Sequence, residues 1–420
     1  MRPTAVVMNM FYTGLGIARS LGEHGIPVIG LSAEPRIYGN FTRYAKVVRC
    51  PDSRRQPEAL LDYLIQMGKC AGQRNIIFPT RDDDVVFLDR FRRELQEFYI
   101  LAVPERAVLD ACLDKWKTYQ WALHTGVPTP NCWLIEDTQD LERLRNELTF
   151  PCVLKAVMAH EWRKGSNWQL VGGRKAVGVS SWQELTGEYA AISRAGKRVL
   201  LQEMVAGGDE CLLIAACLLD GQSSWVAGFN TQKLVQVPEG LGTGCIVQGV
   251  DRPELFEPTA RLLKAMGYTG IAEVEYKWNA VRQQYQLIEI NPRPWDQHRL
   301  GKACGVDLIY LAYCEYAGLP RPELSKPATG HKWVAEDSLF MAALQLFWHR
   351  DPRLRSLFHL ARGKRIYAIW SAADPLPLLG FAVTRFLPGL AGTGARAMWS
   401  AIQKRIPGRE DRKKKGLAYE

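Results

Sequence analysis

Two short runs, residues 271–278 and 285–290, together with Asn291, carry four chemistry-bearing side chains: Glu273 and Glu275 on the first, Glu289 and Asn291 on the second. The polar stretch 279–284 between them reads as a turn, which gives an antiparallel hairpin centred on Arg282. That register sets Tyr276 opposite Ile288 and Glu275 opposite Glu289, with Glu273 and Glu275 sharing a face, as do Glu289 and Asn291. Opposed carboxylates repel and weaken a strand pair, so something positive must lie between them. A hard divalent cation such as Mg²⁺ meets that need, because it is held by one or two protein carboxylates and completes its shell with phosphate oxygens and water. The Asn291 carbonyl adds a third oxygen. Pro292 and Pro294 end the run rigidly, and Arg293 between them is placed to clamp phosphoryl oxygens. A solvated hairpin with chance acids is the bland alternative.

Phosphoryl transfer rests on positioning and charge neutralisation, so further cations are expected. Lys155 stands in the apolar run 152–157, where a lysine is rarely buried without a partner. Lys115 and Lys117, at the start of a helix, offer a second cation, and their chemistry alone does not choose between them. The run 200–205 has the form of an adenine-binding strand edge, with backbone groups for the base and polar contacts from Gln202 and Glu203. A Gly-Gly turn follows, and its acids Asp209 and Glu210 suit ribose hydroxyls. No Ser/His/Asp or Cys/His pattern competes with this chemistry, and none of the ten cysteines forms a C-x-x-C pair.

The elements around these residues alternate. Residues 4–8, 27–31 and 75–78 read as buried strands and 14–24 as a helix, which predicts a small parallel sheet covered by helices over 1–110. Ligands of such sheets lie beyond the strand carboxyl ends, so 13–16 and 80–83 are candidate binding loops, with Arg81 and Asp82 as candidate substrate contacts. Gly14 and Gly16 lack the third glycine of a dinucleotide fingerprint. A second unit spans 111–325, with a lobe at roughly 120–205. Its first helix, 114–125, stops at Gly126, and strands at 152–157, 199–204 and 211–219 lead to the hairpin. From about residue 326 aromatics, prolines and arginines take over, which suggests an appended segment with a helix at 339–348.

The charge is uneven. Of a net +10, residues 331–420 hold 16 Lys+Arg against 7 Asp+Glu, leaving the main body close to neutral. A general nucleic-acid affinity is therefore excluded from the expected partners. A 47% apolar and 23% charged composition, scattered cysteines and no secretory signal predict a cytoplasmic globular enzyme. The tail interleaves Trp370, Phe381, Phe386 and Trp399 with basic residues and carries Lys413 to Lys415, without an apolar run long enough to span a bilayer. Its composition predicts peripheral contact with the inner face of a membrane; a solvated basic tail is the alternative.

The order lysine, lysine, Gln-Glu with an acidic turn, Glu, then Glu289-Ile-Asn-Pro-Arg293 resembles the ATP-grasp superfamily. More narrowly, it is similar to the carboxylate–amine ligases of the D-aspartate ligase kind, over roughly residues 1–325. The resemblance implies an α/β fold in which two α+β lobes sandwich ATP, preceded by a small parallel-sheet domain and here followed by a basic C-terminal extension. It implies ATP phosphates on Lys115 and Lys155, adenine on Gln202, Glu203 and Val205, and ribose on Asp209 or Glu210. Mg²⁺ would fall to Glu275, Glu289 and Asn291, and catalytic roles to Arg293 and Lys233, the latter ahead of a loop from Pro238 to Gly242. The implied activity joins a small-molecule carboxylate to an amine through an acyl-phosphate; where the tail meets a membrane, a lipid-linked or nucleotide-linked cell-envelope or exopolysaccharide precursor becomes an attractive acceptor. His298 is a candidate for steering a substrate. The departure is the loop 158–173, which holds His160, Trp162, Arg163, Lys164 and Trp168 where relatives have small residues. A biotin-type carboxylase on the same fold, or a non-catalytic nucleotide-binding protein, are the alternatives.

Overall fold

The computed structural model describes residues 2–162, 167–194, 198–237 and 242–386. Three sheets order the chain. The first is parallel, in the order β3-β2-β1-β4-β5: β1 (Ala5–Met8), β2 (Val28–Ser32), β3 (Lys46–Arg49), β4 (Asn75–Phe78) and β5 (Tyr99–Leu101). Strand β1 is buried at every position. Its alternate side chains serve two cores: Ala5 and Val7 pack with Leu15 and Ala18 of the helix Tyr12–Glu23, while Val6 and Met8 pack with Leu60, Leu64 and Val85 on the other side. Two-sided coverage explains why this strand is a continuous apolar run rather than an alternating one.

The second sheet is antiparallel and four-stranded, in the order β6-β9-β7-β8: β6 (Cys132–Ile135), β7 (Cys152–Ala156), β8 (Ala176–Val179) and β9 (Val199–Glu203). Its own core includes Leu154, Val177, Leu185 and Leu201.

The third and largest sheet runs β14-β13-β10-β11-β12-β15-β16: β10 (Leu212–Leu219), β11 (Trp225–Val237), β12 (Thr243–Val250), β13 (Gly270–Asn279), β14 (Gln284–Asn291), β15 (Lys332–Val334) and β16 (Arg365–Tyr367). Strand β10 is buried throughout, with Ile214, Ala216 and Leu218 facing one core and Leu213, Ala215 and Cys217 the other.

Strands β15 and β16 belong to the segment that composition marks as an appendage. The structure differs: β15 pairs with β12 and β16 with β15, extending the central sheet. Trp333 on β15 is 2% exposed. Beyond β16, Asp374 is fully buried and accepts from Arg19 Nε at 2.9 Å, Thr42 Oγ1 at 2.7 Å and Arg43 N at 3.0 Å, fastening the segment to the first sheet's helix and loop. Three-residue strands carry too little periodicity to be legible in sequence. Helix Glu336–Trp348 lies where the sequence predicts one. Among the described residues no helix is long and apolar enough to cross a membrane. Trp399 and Lys413 to Lys415 lie outside the described residues.

Candidate active site

The site is built on the β13–β14 pair. Glu275 faces Glu289 and Glu273 faces Asn291, as the hairpin reading requires. Tyr276, however, faces Leu287 and not Ile288, because a β-bulge interrupts the register between Glu275 and Tyr276. An unpaired extra residue at Ile288 shifts the outer half of the hairpin by one while the acidic end keeps its pairing. Sequence pattern alone does not reveal such an insertion.

The positive charge between the acids is supplied by lysines. Lys233, on β11, donates from Nζ to Glu275 Oε2 at 2.6 Å, and Lys115 donates from Nζ to Glu289 Oε2 at 2.9 Å. Lys233 is buried, not the exposed strand lysine that is the bland reading of its position. Lys115 reaches the acids through local backbone structure. Asp114 caps the helix Lys115–His124 by accepting from Lys117 N, and Lys115 N donates to Val157 O at 3.0 Å. The helix therefore starts beside the end of β7. Lys117 turns the other way and pairs with Asp110 at the surface, so of the two Lys115 is the one that meets the hairpin acids. Lys155, on β7, donates to Gln202 Oε1 at 2.6 Å.

Electrostatics follow from this crowding. Burial, and then the neighbouring Lys115 charge, push the Lys155 ammonium down to about 8. Burial also pulls on Lys115 and Lys233, but the attraction of Glu289 and Glu275 outweighs it and both are raised. Lys115 foremost holds Glu289 far below the usual carboxylate range. Glu273 is pushed up to about 8 by burial, against the pull of Lys233. It accepts from Asn291 Nδ2 at 3.0 Å, and the same amide donates to Glu289 Oε1 at 3.2 Å. The sequence places Glu273 on the right face without assigning it a role; its spacing of two from Glu275 was the available signal.

Arg293 joins the sheets. Its Nε donates to Asp82 Oδ1 at 2.7 Å, so the loop after β4 reaches the end of β14. Asp82 is thus the partner of Arg293, whereas Arg81 is directed to Asp84 and Asp52. On β9, Gln202 is buried and meets Lys155, and Glu203 accepts two bonds from Arg282 Nη2, at 2.9 and 3.1 Å. Arg282 was seen only as a turn residue. Val205 is buried. Asp209 accepts from the backbone and side chain of Gln236, both at 2.7 Å, while Glu210 stays exposed beside it. His298 is spent on packing: its Nε2 meets Thr13 O at 3.1 Å, burial lowers it to about 4, and a Cβ on Gly16 would come within 2.6 Å of the ring. In the unusual loop Trp162 is 2% exposed; residues 163–166, and 238–241 of the loop after Lys233, lie outside the described residues.

Comparison with known proteins bears on the fold that carries these residues. Residues 231–318, which span β11 to the hairpin and beyond, match the family described as carbamoyl-phosphate synthase L chain, ATP binding domain. The chain is 20% identical to the D-aspartate ligase of Enterococcus faecium (strain Aus0004) over 299 residues, 68% of this chain and 69% of that one. Its fold is that of the biotin carboxylase–ATP-analogue complex from Campylobacter jejuni, with a TM-score of 0.63, 16% identity, and coverage of 79% of this chain and 74% of that one. The biotin carboxylase domain of Hydrogenobacter thermophilus 2-oxoglutarate carboxylase, a structure with MgADP and bicarbonate, gives a TM-score of 0.62, 17% identity, and 79% and 73% coverage. The fold is of the ATP-grasp type, and residues 231–318 match an ATP-binding domain family.

The donor set of the site would fit Mg²⁺ and the phosphates of a nucleotide. Glu275 and Glu289 oppose each other on neighbouring strands with Asn291 one step along the same face. Among the described residues no three His, Cys, Asp or Glu side chains form a ready cage. The two lobes each contribute: Lys155 from the second sheet and Lys233 with the acids from the third.

Proposed function

We propose that this ATP-grasp protein joins a small-molecule carboxylate to an amine through an acyl-phosphate. The observation that carries the reading is the pairing of Glu275 with Glu289, each already engaged by a lysine that a triphosphate can recruit. Lys115 and Lys155 would hold the ATP phosphates, Arg293 and Lys233 the transferred group, and Gln202, Glu203 and Val205 the adenine side. Since Asp209 is engaged by Gln236, Glu210 is the freer choice for the ribose. Mg²⁺ on Glu275, Glu289 and Asn291 would neutralise the phosphate charge that the lysines leave.

In the first step a substrate carboxylate oxygen attacks the γ-phosphorus, and the bond to the β–γ bridging oxygen breaks to release ADP. The amine nitrogen then attacks the acyl carbon and loses its proton. The C–O bond to phosphate breaks, so phosphate leaves with one oxygen of the original carboxylate. No protein nucleophile enters either step. Positioned cations carry the chemistry instead. Resemblance to D-aspartate ligase supports an amino acid as one substrate, and a cell-envelope or exopolysaccharide precursor remains the acceptor we favour.

The test is isotopic. Carboxyl-¹⁸O amino acids, supplied singly with ATP, Mg²⁺ and an amine panel, should place one ¹⁸O in the released phosphate. Phosphate free of label alongside product formation would refute the acyl-phosphate. ADP release driven by bicarbonate alone would transfer the assignment to a carboxylase, the reaction class of the two structural neighbours named above.

A further inference from the structure

Eight of the thirteen large apolar side chains that stand out from the surface, among the described residues, fall within residues 340–383. They form one face. Helix Glu336–Trp348 packs inward through Leu339, Ala342, Ala343 and Leu346. That leaves Phe340 and Phe347, two turns apart, on the outer stripe with Trp348 beside them; Phe347 and Trp348 are each 63% exposed. Leu376, Leu379 and Val383 make a second stripe at i, i+3 and i+7 along residues 376–386, and Val383 is 64% exposed. The two stripes meet where the rings of Phe340 and Phe386 lie 5.5 Å apart.

The exposed charge between the two stripes is mostly basic. Between residues 338 and 373 six Lys and Arg stand against a single acid, Asp351. Arg350, Arg353, Arg355, Arg362, Lys364 and Arg365 are all exposed. A scatter of single apolar residues needs no explanation, but a joined aromatic face does.

We propose that this face docks on an anionic lipid surface, with the aromatics at the headgroup boundary and the basic rim against the acidic headgroups. The charge decides the occupant. A second copy of the chain would set like charge against like, whereas an anionic bilayer complements the aromatic and basic groups together. None of the residues involved contacts the lysine–carboxylate cluster, so the inference stands apart from the catalytic reading.

The experiment is co-sedimentation of the full chain with phosphatidylcholine vesicles, with and without about one third phosphatidylglycerol. The chain should sediment with the anionic vesicles alone. Phe347→Ser/Trp348→Ser should weaken that partition about tenfold or more, and Arg355→Glu/Lys364→Glu should abolish its dependence on phosphatidylglycerol. ATP hydrolysis and the thermal midpoint should stay as in the parent for both pairs. The proposal is overturned if the parent ignores both vesicle types, if the serine pair binds as the parent does, or if the face drives concentration-dependent dimerisation that the serine pair removes.

Discussion

Lys155 gives the sharpest test of the site. Its ammonium is pushed from an ordinary 10.5 down to about 8 by burial and by Lys115. A triphosphate arriving beside it supplies the missing counter-charge and should return it towards the ordinary value. Binding then takes up protons: about 0.1 at pH 7 but about 0.75 at pH 8.5, if the bound value is the ordinary one. The sign is fixed, since ATP favours the protonated form and affinity must fall as pH rises through 8. Between pH 7 and pH 9 the dissociation constant should rise about tenfold, close to 1.4 kcal/mol. Titration calorimetry at pH 8.5 in two buffers of different ionisation enthalpy reads the proton count directly. Glu273 titrates in the same range, so the parent alone is not decisive. Lys155→Arg keeps the charge but cannot lose its proton at these pH values, and should remove most of the uptake. Equal uptake in parent and Lys155→Arg would refute the placement of Lys155 on the phosphates.

Glu275→Ala should abolish activity and also destabilise the fold by about 3–5 kcal/mol, because it strands the buried Lys233 ammonium; urea unfolding measures this, and Glu275→Leu/Lys233→Met should recover stability without activity. Asp374→Ala removes the carboxylate partner of a fully buried Arg19 and should cost a similar ~3–5 kcal/mol by the same measurement. Trp333→Ala empties a buried site between β12 and β16 and should cost about 3–5 kcal/mol, visible as a lowered thermal midpoint.

What the sequence revealed, and what it hid, has a common physical origin. Strand β1 and the acidic end of the hairpin were legible because burial on both faces, or a two-residue spacing of acids, leaves a pattern in the letters. Strand β11 was not. Its buried positions include Asn230, Thr231, Lys233 and Gln236, so the strand looks half-polar although it lies inside the sheet. Two of those polar side chains are there for the site, as Lys233 meets Glu275 and Gln236 holds Asp209. Function broke the hydrophobic alternation by which strands are recognised. The choice of Lys115 over Lys117 was hidden for another reason. It depends on one backbone bond, Lys115 N to Val157 O, between segments more than forty residues apart.

On the proposed reading the paired charges would couple the binding of nucleotide and metal. Around the hairpin stand four cationic side chains, Lys115, Lys155, Lys233 and Arg293, and four acids, Glu273, Glu275, Glu289 and Asp82. Each cation but Lys155 already has a carboxylate partner within 3 Å. A triphosphate entering alone would take those lysines from Glu275 and Glu289 and leave two carboxylates facing each other across adjacent strands, the arrangement that destabilises a strand pair. A dication held by Glu275 and Glu289 would relieve them. On this reading Lys115 and Lys233 serve as the counter-charge that lets the acids be buried without a ligand, and would be released to the phosphates once a cation neutralises the acids.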